Sequence, residues 1–346
     1  MSGDTPGRRC LLILPRGFYG FASVLSSALE TAGYATTVAN DEYPESVFGK
    51  VISKLGLPLS HSITRRVLTQ RFLHGQQYAL IVLIKGRGLD AQTVELLKQH
   101  GRHVVGYHFD AFGFDAGPAR WRNALARVCT FDYRDAQAHG LPLVELFTAM
   151  PPQVPAQPRR YRVSAILRNH SQRLAYLDQV LTALDDAGDK GERFIYILEA
   201  NAFSFLANFL RHPRLYLKYR RHISRRALPY AQYVAAICDS DLTIDYAHPR
   251  QTGITIRCFE ALSAGTRVIT NNPSVRRSPW FDTDHAILLA PGARAEVLGQ
   301  QLRALPPEPA QPRRRDVHTF LRELLGPDVL ESPPGTPSST VHHTPA

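Results

Sequence analysis

The chain has 346 residues, 44% of them hydrophobic and 21% charged, a balance that excludes a disordered protein and gives length enough for two separate cores. Its formal net charge of +11 points to anionic partners, and nucleic acid, nucleotide diphosphates, anionic lipid and acidic glycans all qualify. No stretch reaches the roughly 20 apolar residues of a spanning helix: Ile195 to Leu210 is broken by Glu199, Asn201 and Asn208. The N-terminal apolar run Cys10–Leu14 ends at Pro15-Arg16-Gly17, too soon for a secretory leader, so a cytoplasmic protein is expected. Cys10, Cys129, Cys238 and Cys258 form no C-x-x-C pair and the fourteen histidines no ligand spacing, which predicts buried thiols and no structural metal.

In chain order, Cys10–Leu14 reads as a strand, followed by a loop with Gly17 and Gly20 and a helix to about Ala32. Gly33 stops that helix and Tyr34–Val38 resumes as a strand. Tyr78–Ile84 is an almost unbroken apolar run of the kind parallel sheets bury. It leads through Lys85-Gly86-Arg87-Gly88 into a helix for which Asp90 is the N-cap. Arg102–Tyr107, Val128–Phe131 and Pro142–Leu146 are further strands, and residues 1–150 form a first domain. Prolines 151, 152, 155 and 158 make 151–160 a linker.

The alternation then restarts over 161–326: strand Tyr161–Leu167, helix to about Ala187, strand Phe194–Leu198, helix Tyr230–Cys238, strand Leu242–Asp245, helix Gly253–Ala264 and strand Thr266–Thr270. Ala286–Leu289 adds a strand and Ala293–Leu305 a helix, and residues 327–346 read as a disordered tail. The class is α/β: two doubly wound, mostly parallel sheets facing a central cleft.

The stretch from Asp239 to Asn272 carries the chemistry. It runs strand, polar loop, helix, tight turn, strand. Gly253 and Thr255 lie where the helix begins, and unpaired N–H groups with the helix dipole favour an anion such as a diphosphate there. Glu260, about a turn and a half further in, can accept two bonds from a ribose diol. A plainer reading pairs Arg257 with Glu260 at i, i+3 as a surface ion pair worth ~0.2–0.5 kcal/mol.

His248-Pro249-x-Gln251-Thr252-Gly253-Ile254-Thr255-x-Arg257-x-x-Glu260, then Gly265 and Val268-Ile269-Thr270-Asn271-Asn272, resembles the donor-site signature of bacterial GT-B glycosyltransferases. The nearest group is that of capsule, exopolysaccharide and lipopolysaccharide enzymes, close to CgeB-like and family-1-type proteins. Thr130-Phe131-Asp132-x-x-Asp135-Ala136 and Pro229-Tyr230-x-x-Tyr233 resemble the same group. The resemblance implies two Rossmann-like domains, a nucleotide-diphosphate sugar as co-substrate, no cofactor or metal, and a glycan or lipid-linked acceptor in surface polysaccharide synthesis. It assigns Glu260 to the donor ribose and Gly253 with Thr255 to the diphosphate. His248, Gln251, Thr252 and Arg257 fall within the same donor signature. Where retaining members often carry two glutamates with seven residues between them, the first position falls on Thr252 in this chain. The resemblance also directs a basic residue of Leu167-Arg168-Asn169-His170-Ser171-Gln172-Arg173, either Arg168 or Arg173, at the diphosphate, although that loop lacks the usual glycine.

In the first domain His108 or Asp110, after a strand, is a candidate to take the acceptor's proton, with a capping role for Asp110 as the alternative. Arg16-Gly17-Phe18-Tyr19-Gly20 is either a weak glycine-rich loop or a simple turn. The basic run Arg211–Arg226, interleaved with Tyr216 and Tyr219, reads as a solvated face that can also touch anionic lipid or single-stranded nucleic acid. Arg313-Arg314-Arg315 reads as solvated too. Three functions follow: an active glycosyltransferase, in the cytoplasm or peripheral at the inner face of a membrane; a GT-B-like protein that only binds nucleotide or glycan; and, third, a basic nucleic-acid binder.

Overall fold

The computed structural model describes residues 8–15, 20–46, 55, 58–151, 158–199 and 201–330. The glycine-rich turn at 16–19, most of the proline linker (152–157) and the tail from 331 lie outside the described residues. The chain divides into two compact units, one of residues 1–130, 140–144 and 317–346, the other of 131–139 and 145–316.

The first unit is built on β1 (Arg8–Leu14), β2 (Tyr34–Asn40), β3 (Tyr78–Ile84), β4 (Gly101–His108) and β5 (Arg127–Thr130), in the order β2-β1-β3-β4-β5. Every pairing is parallel. The central strands are nearly continuous apolar runs because both faces are covered. Leu11, Ile13, Ile81 and Leu83 pack with Val94, Leu97 and Trp121. Helices α1 (Phe21–Thr31), α2 (Pro58–Leu68) and α3 (Ala91–His100) connect the strands. Asp90 caps α3 as expected, accepting from the Thr93 amide at 2.8 Å. Pro142–Leu146 does not become a strand. Pro142 has no N–H to give a ladder, and the segment makes one parallel bridge, Thr130 to Leu143.

The second unit holds β6 (Tyr161–Arg168), β7 (Arg193–Leu198), β8 (Ile223–Ser224), β9 (Ser240–Asp245), β10 (Arg267–Thr270) and β11 (Ala286–Leu288), ordered β11-β10-β9-β6-β7-β8 and all parallel. Its helices are α4 (Tyr133–His139), α5 (Arg173–Asp186), α6 (Ala202–Arg211), α7 (Pro213–Tyr219), α8 (Tyr230–Cys238), α9 (Ile256–Ser263) and α10 (Ala295–Arg303). Val163, Ala165, Leu177, Leu181, Ile197, Ile244 and Ile269 form its core. A further helix, α11 (Val317–Leu325), belongs to the first unit, where the Arg127 guanidinium donates to the Leu324 carbonyl at 2.6 Å.

Two details tighten the second unit. Gly265, at φ +62°, ends α9 in the left-handed conformation, and Arg159 donates to the carbonyls of Ala264 and Gly265 at 3.0 and 2.9 Å, placing a cation on the helix's negative end. Within the arginine run 313–315, Arg313 and Arg314 are exposed, but Arg315 is 1% exposed and donates to the carbonyls of Glu145 and Leu146. Those carbonyls lie in irregular chain with no ladder partner, and a buried guanidinium supplies the donors they need. All four cysteines are thiols, with Cys10, Cys129 and Cys258 buried. Among the described residues, no helix is long and apolar enough to cross a membrane.

Candidate donor site of the second unit

In the second sheet the chain first moves from β6 outward to β7 and β8, then returns to add β9 on the other side of β6. The crevice at such a reversal, outside the carboxyl ends of the strands, is where doubly wound sheets bind ligands. The loops after β6 and β9 flank it.

The first loop is Asn169–Gln172, between Arg168 at the end of β6 and Arg173 at the start of α5. No glycine is present, yet Ser171 takes φ +58°, the left-handed conformation that costs an L-residue about 1–2 kcal/mol. Serine thus makes the turn that the missing glycine would make, and strain is accepted beside a candidate site. Asn169 anchors the loop from below, donating to Glu199 and to Tyr216, each at 2.6 Å. His170 is half-buried, and its pKa is lowered to about 4 by burial first, then by Arg173, Arg168 and His248. His248 is itself lowered by burial, Arg250 and Arg173. Five basic side chains from both loops therefore share one positive field. Arg168, Arg173 and His248 all act on His170.

The second loop is held from several sides. Asp132, 1% exposed, accepts from the backbone amides of Thr252 (2.5 Å) and Gly253 (3.1 Å) and from the Thr252 hydroxyl (2.7 Å), while also accepting from the amides of Arg134 and Asp135 at the start of α4. Asn272 donates to the Gly253 carbonyl at 2.9 Å, and Asn271 exchanges two bonds with Ala247. A Cβ on Gly253 would sit 2.3 Å from the Phe131 ring. Glycine is required there by that close approach, and its amide is already given to a carboxylate of the same chain. The expected helix start at Gly253 accordingly shifts: α9 begins at Ile256 with Thr255 as N-cap, because residues 252–253 are turned toward Asp132. Gln251 closes the turn, its amide donating to the His248 carbonyl at 2.8 Å.

Thr255 does not cap with its side chain, so the first-turn amides of α9 lack a side-chain acceptor. Its hydroxyl instead donates to Asp245 at 2.8 Å. Asp245, 2% exposed at the end of β9, also accepts from Thr270 at 3.2 Å and pairs with Arg257 at 3.5 Å. Glu260 is 5% exposed and accepts from the Tyr233 hydroxyl. Burial raises its pKa above the ordinary carboxylate value, while the Tyr233 hydrogen bond and Arg257 pull the other way. Burial opposes the charge on Arg257, but Tyr233, Asp245 and Glu260 together raise its pKa. The surface pairing of Arg257 with Glu260 is thereby corrected: Arg257 faces Asp245, and Glu260 is an enclosed acid one helical turn inside α9.

In the first unit, the two proton-transfer candidates fare differently. His108 is 0% exposed, stacked on Trp121 with ring centres 5.1 Å apart and meeting Phe112 edge-on at 4.6 Å. Asp110 is ion-paired with Lys85, with 14% of its side chain exposed.

Asp132 and Asp245 organise the loop and were not singled out in sequence. Asp132 stood inside a recognised motif, and Asp245 closed a recognised strand, but nothing in a linear pattern says that residue 132 reaches residue 252. Tyr233, also in a recognised motif, has its role only through contact with Glu260.

Residues 195–323 match the family model described as glycosyl transferase-like. No curated protein matches the sequence. The catalytic domain of starch synthase IV from Arabidopsis thaliana, bound to ADP and acarbose, superposes with a TM-score of 0.53 at 10% identity, over 94% of this chain and 96% of that one. The MnaA–UDP structure from S. aureus gives 0.52 at 10% identity, over 91% and 94%. UDP-GlcNAc 2-epimerase from Methanocaldococcus jannaschii, in complex with UDP-GlcNAc and UDP, gives 0.50 at 12%, over 91% and 98%. Identities this low speak for the fold alone. The chain has a GT-B-like fold of two parallel α/β units, and its residues 195–323 are glycosyl transferase-like.

Proposed function

We propose that the protein is a glycosyltransferase that moves a sugar from a nucleotide-diphosphate donor to a glycan or glycolipid acceptor in surface polysaccharide synthesis. The observation that carries this reading is the cluster of cations at the β6/β9 reversal, where Arg173, Arg168 and His248 add to burial in lowering the His170 pKa. Arg168, Arg173 and the first-turn amides of α9 meet the diphosphate, and Glu260 accepts from the ribose. The same cations stabilise the charge that develops on the departing nucleotide. Thr252 and Gly253 shape the loop through Asp132, while His248, Gln251 and Arg257 set its turn and the start of α9. Asp110 is the better candidate than His108 to take the acceptor's proton, since a group stacked between two rings cannot meet a substrate hydroxyl. The chemistry belongs in the cytoplasm, where nucleotide sugars are made.

One observation favours a second reading, a GT-B-like protein that binds nucleotide or glycan without transferring sugar. Thr252 stands at the place of the family's first glutamate, and its hydroxyl is committed on both sides, donating to Asp132 at 2.7 Å and accepting from the Arg134 amide at 2.9 Å. A panel of nucleotide sugars separates the readings. The first expects a thermal shift with at least one donor and release of nucleotide diphosphate on turnover, abolished by Asp110→Asn with donor binding kept. A thermal shift without turnover in the presence of glycan and lipid-linked acceptors supports the second, and no shift with any member contradicts both.

A further inference from the structure

The basic run that follows β7 is not an evenly solvated face. From residue 201 to 238 the chain has seven Lys or Arg and no Asp or Glu. Within it, helix α6 is apolar on both sides. Phe205 and Phe209 turn inward and pack on the core of the second unit. Phe203, Leu206, Ala207 and Leu210, spaced i, i+3, i+4, i+7, form the opposite face, and no residue of the helix is fully buried. Phe203 is 82% exposed, Leu206 55% and Leu210 70%, and on α7 Leu217 is 60% exposed. Beside them lies a groove of about 380 Å³ lined by Phe205, Phe209, Leu217 and Ile223 together with Arg220 and Arg225. Arg211, Arg214, Arg220, Arg221, Arg225 and Arg226 are all exposed around this surface.

We propose that α6 and the arginines after it form a docking surface for an anionic lipid membrane, with the Phe203–Leu206–Leu210 face lying in the headgroup boundary. Ser204, Asn208 and Arg211 share one polar stripe; an apolar face as wide as the remainder is normally covered, and among the described residues its Phe203–Leu206–Leu210 part stays exposed. Apolar side chains in a field of cations without a single acid match the two components of an anionic bilayer surface, hydrocarbon below and negative headgroups above. Single-stranded nucleic acid would ask for exposed rings on which bases stack. Of the exposed apolar residues here, Phe203 carries a ring, while Leu206, Leu210 and Leu217 do not. The proposal stands on this surface and not on the donor-site reading, so either can fail without the other.

The test is flotation of the full chain with phosphatidylcholine vesicles, pure or containing about a third phosphatidylglycerol. The expected result is partition into the anionic vesicles at least about tenfold stronger than into the neutral ones, weakening with salt. The triple variant Phe203→Ser, Leu206→Ser, Leu210→Ser should lose about tenfold or more of that binding with an unchanged melting temperature, since all three side chains already face solvent. Arg211→Glu with Arg214→Glu should weaken it comparably through charge alone. Absence of flotation by the wild type would overturn the proposal, as would equal flotation of the triple variant. So would lipid-free self-association, or binding to single-stranded RNA, that the triple variant abolishes.

Discussion

The two sheets end very differently at the carboxyl edges of their strands. In the first, charge is neutralised and enclosed: Lys85 pairs with Asp110, and His108 is packed between Trp121 and Phe112. In the second, basic groups from two loops are set against one another, and a serine is held at φ +58° to do it. Cations gathered at a strand edge cost folding energy, which an anion bound among them offsets. Under the proposed function, charge recognition falls to the second unit and proton transfer to Asp110 of the first.

The largest effect expected from this contrast is on binding. Replacing Arg168 and Arg173 together by Ala should weaken a nucleoside diphosphate by about 100-fold, since each charge-assisted bond contributes roughly 1.5–3 kcal/mol. The comparable change in the first unit, Lys85→Ala, should alter it by less than about twofold. Calorimetric titration of both variants decides, and equal losses would erase the difference between the units.

Next in size is a stability effect. Asp132→Ala strands the amides of Thr252 and Gly253 as well as the start of α4, and should cost about 2–4 kcal/mol in urea unfolding. Asp132→Asn, which keeps an acceptor, should cost less.

A smaller effect concerns pH. His170 titrates near 4 in the folded chain against 6.5 ordinarily, so the unfolded chain binds the extra proton between those values. Stability therefore falls as pH drops from about 6.5 toward 4, and His170→Asn should flatten that slope. A bound diphosphate should raise the His170 pKa, which an imidazole NMR titration would detect. Smallest is Thr255→Val, which removes the bond to Asp245 and should cost about 1 kcal/mol of stability.

Much of the frame was legible because it is local. Tyr78–Ile84 and Tyr230–Cys238 form over the residues their patterns predicted, and Asp90 caps its helix. Helix α9 was legible as a helix but not in its first turn, because Asp132, 120 positions away, draws Thr252 and Gly253 aside. Arg315 looked like solvated charge for the same reason: its acceptors, the carbonyls of Glu145 and Leu146, are about 170 residues distant. Ser171 shows the converse, a backbone conformation that a search for glycine passes over.

The central claim is that the second unit grips a diphosphate with its cations and the attached ribose with Glu260. Calorimetric titration of wild type and Glu260→Gln with UDP, ADP, GDP and inorganic pyrophosphate tests it most directly. The expected result is that at least one nucleotide binds the wild type, that Glu260→Gln weakens it by about tenfold or more, and that pyrophosphate changes by less than about twofold. A variant that binds the nucleotide as tightly as the wild type would contradict the account.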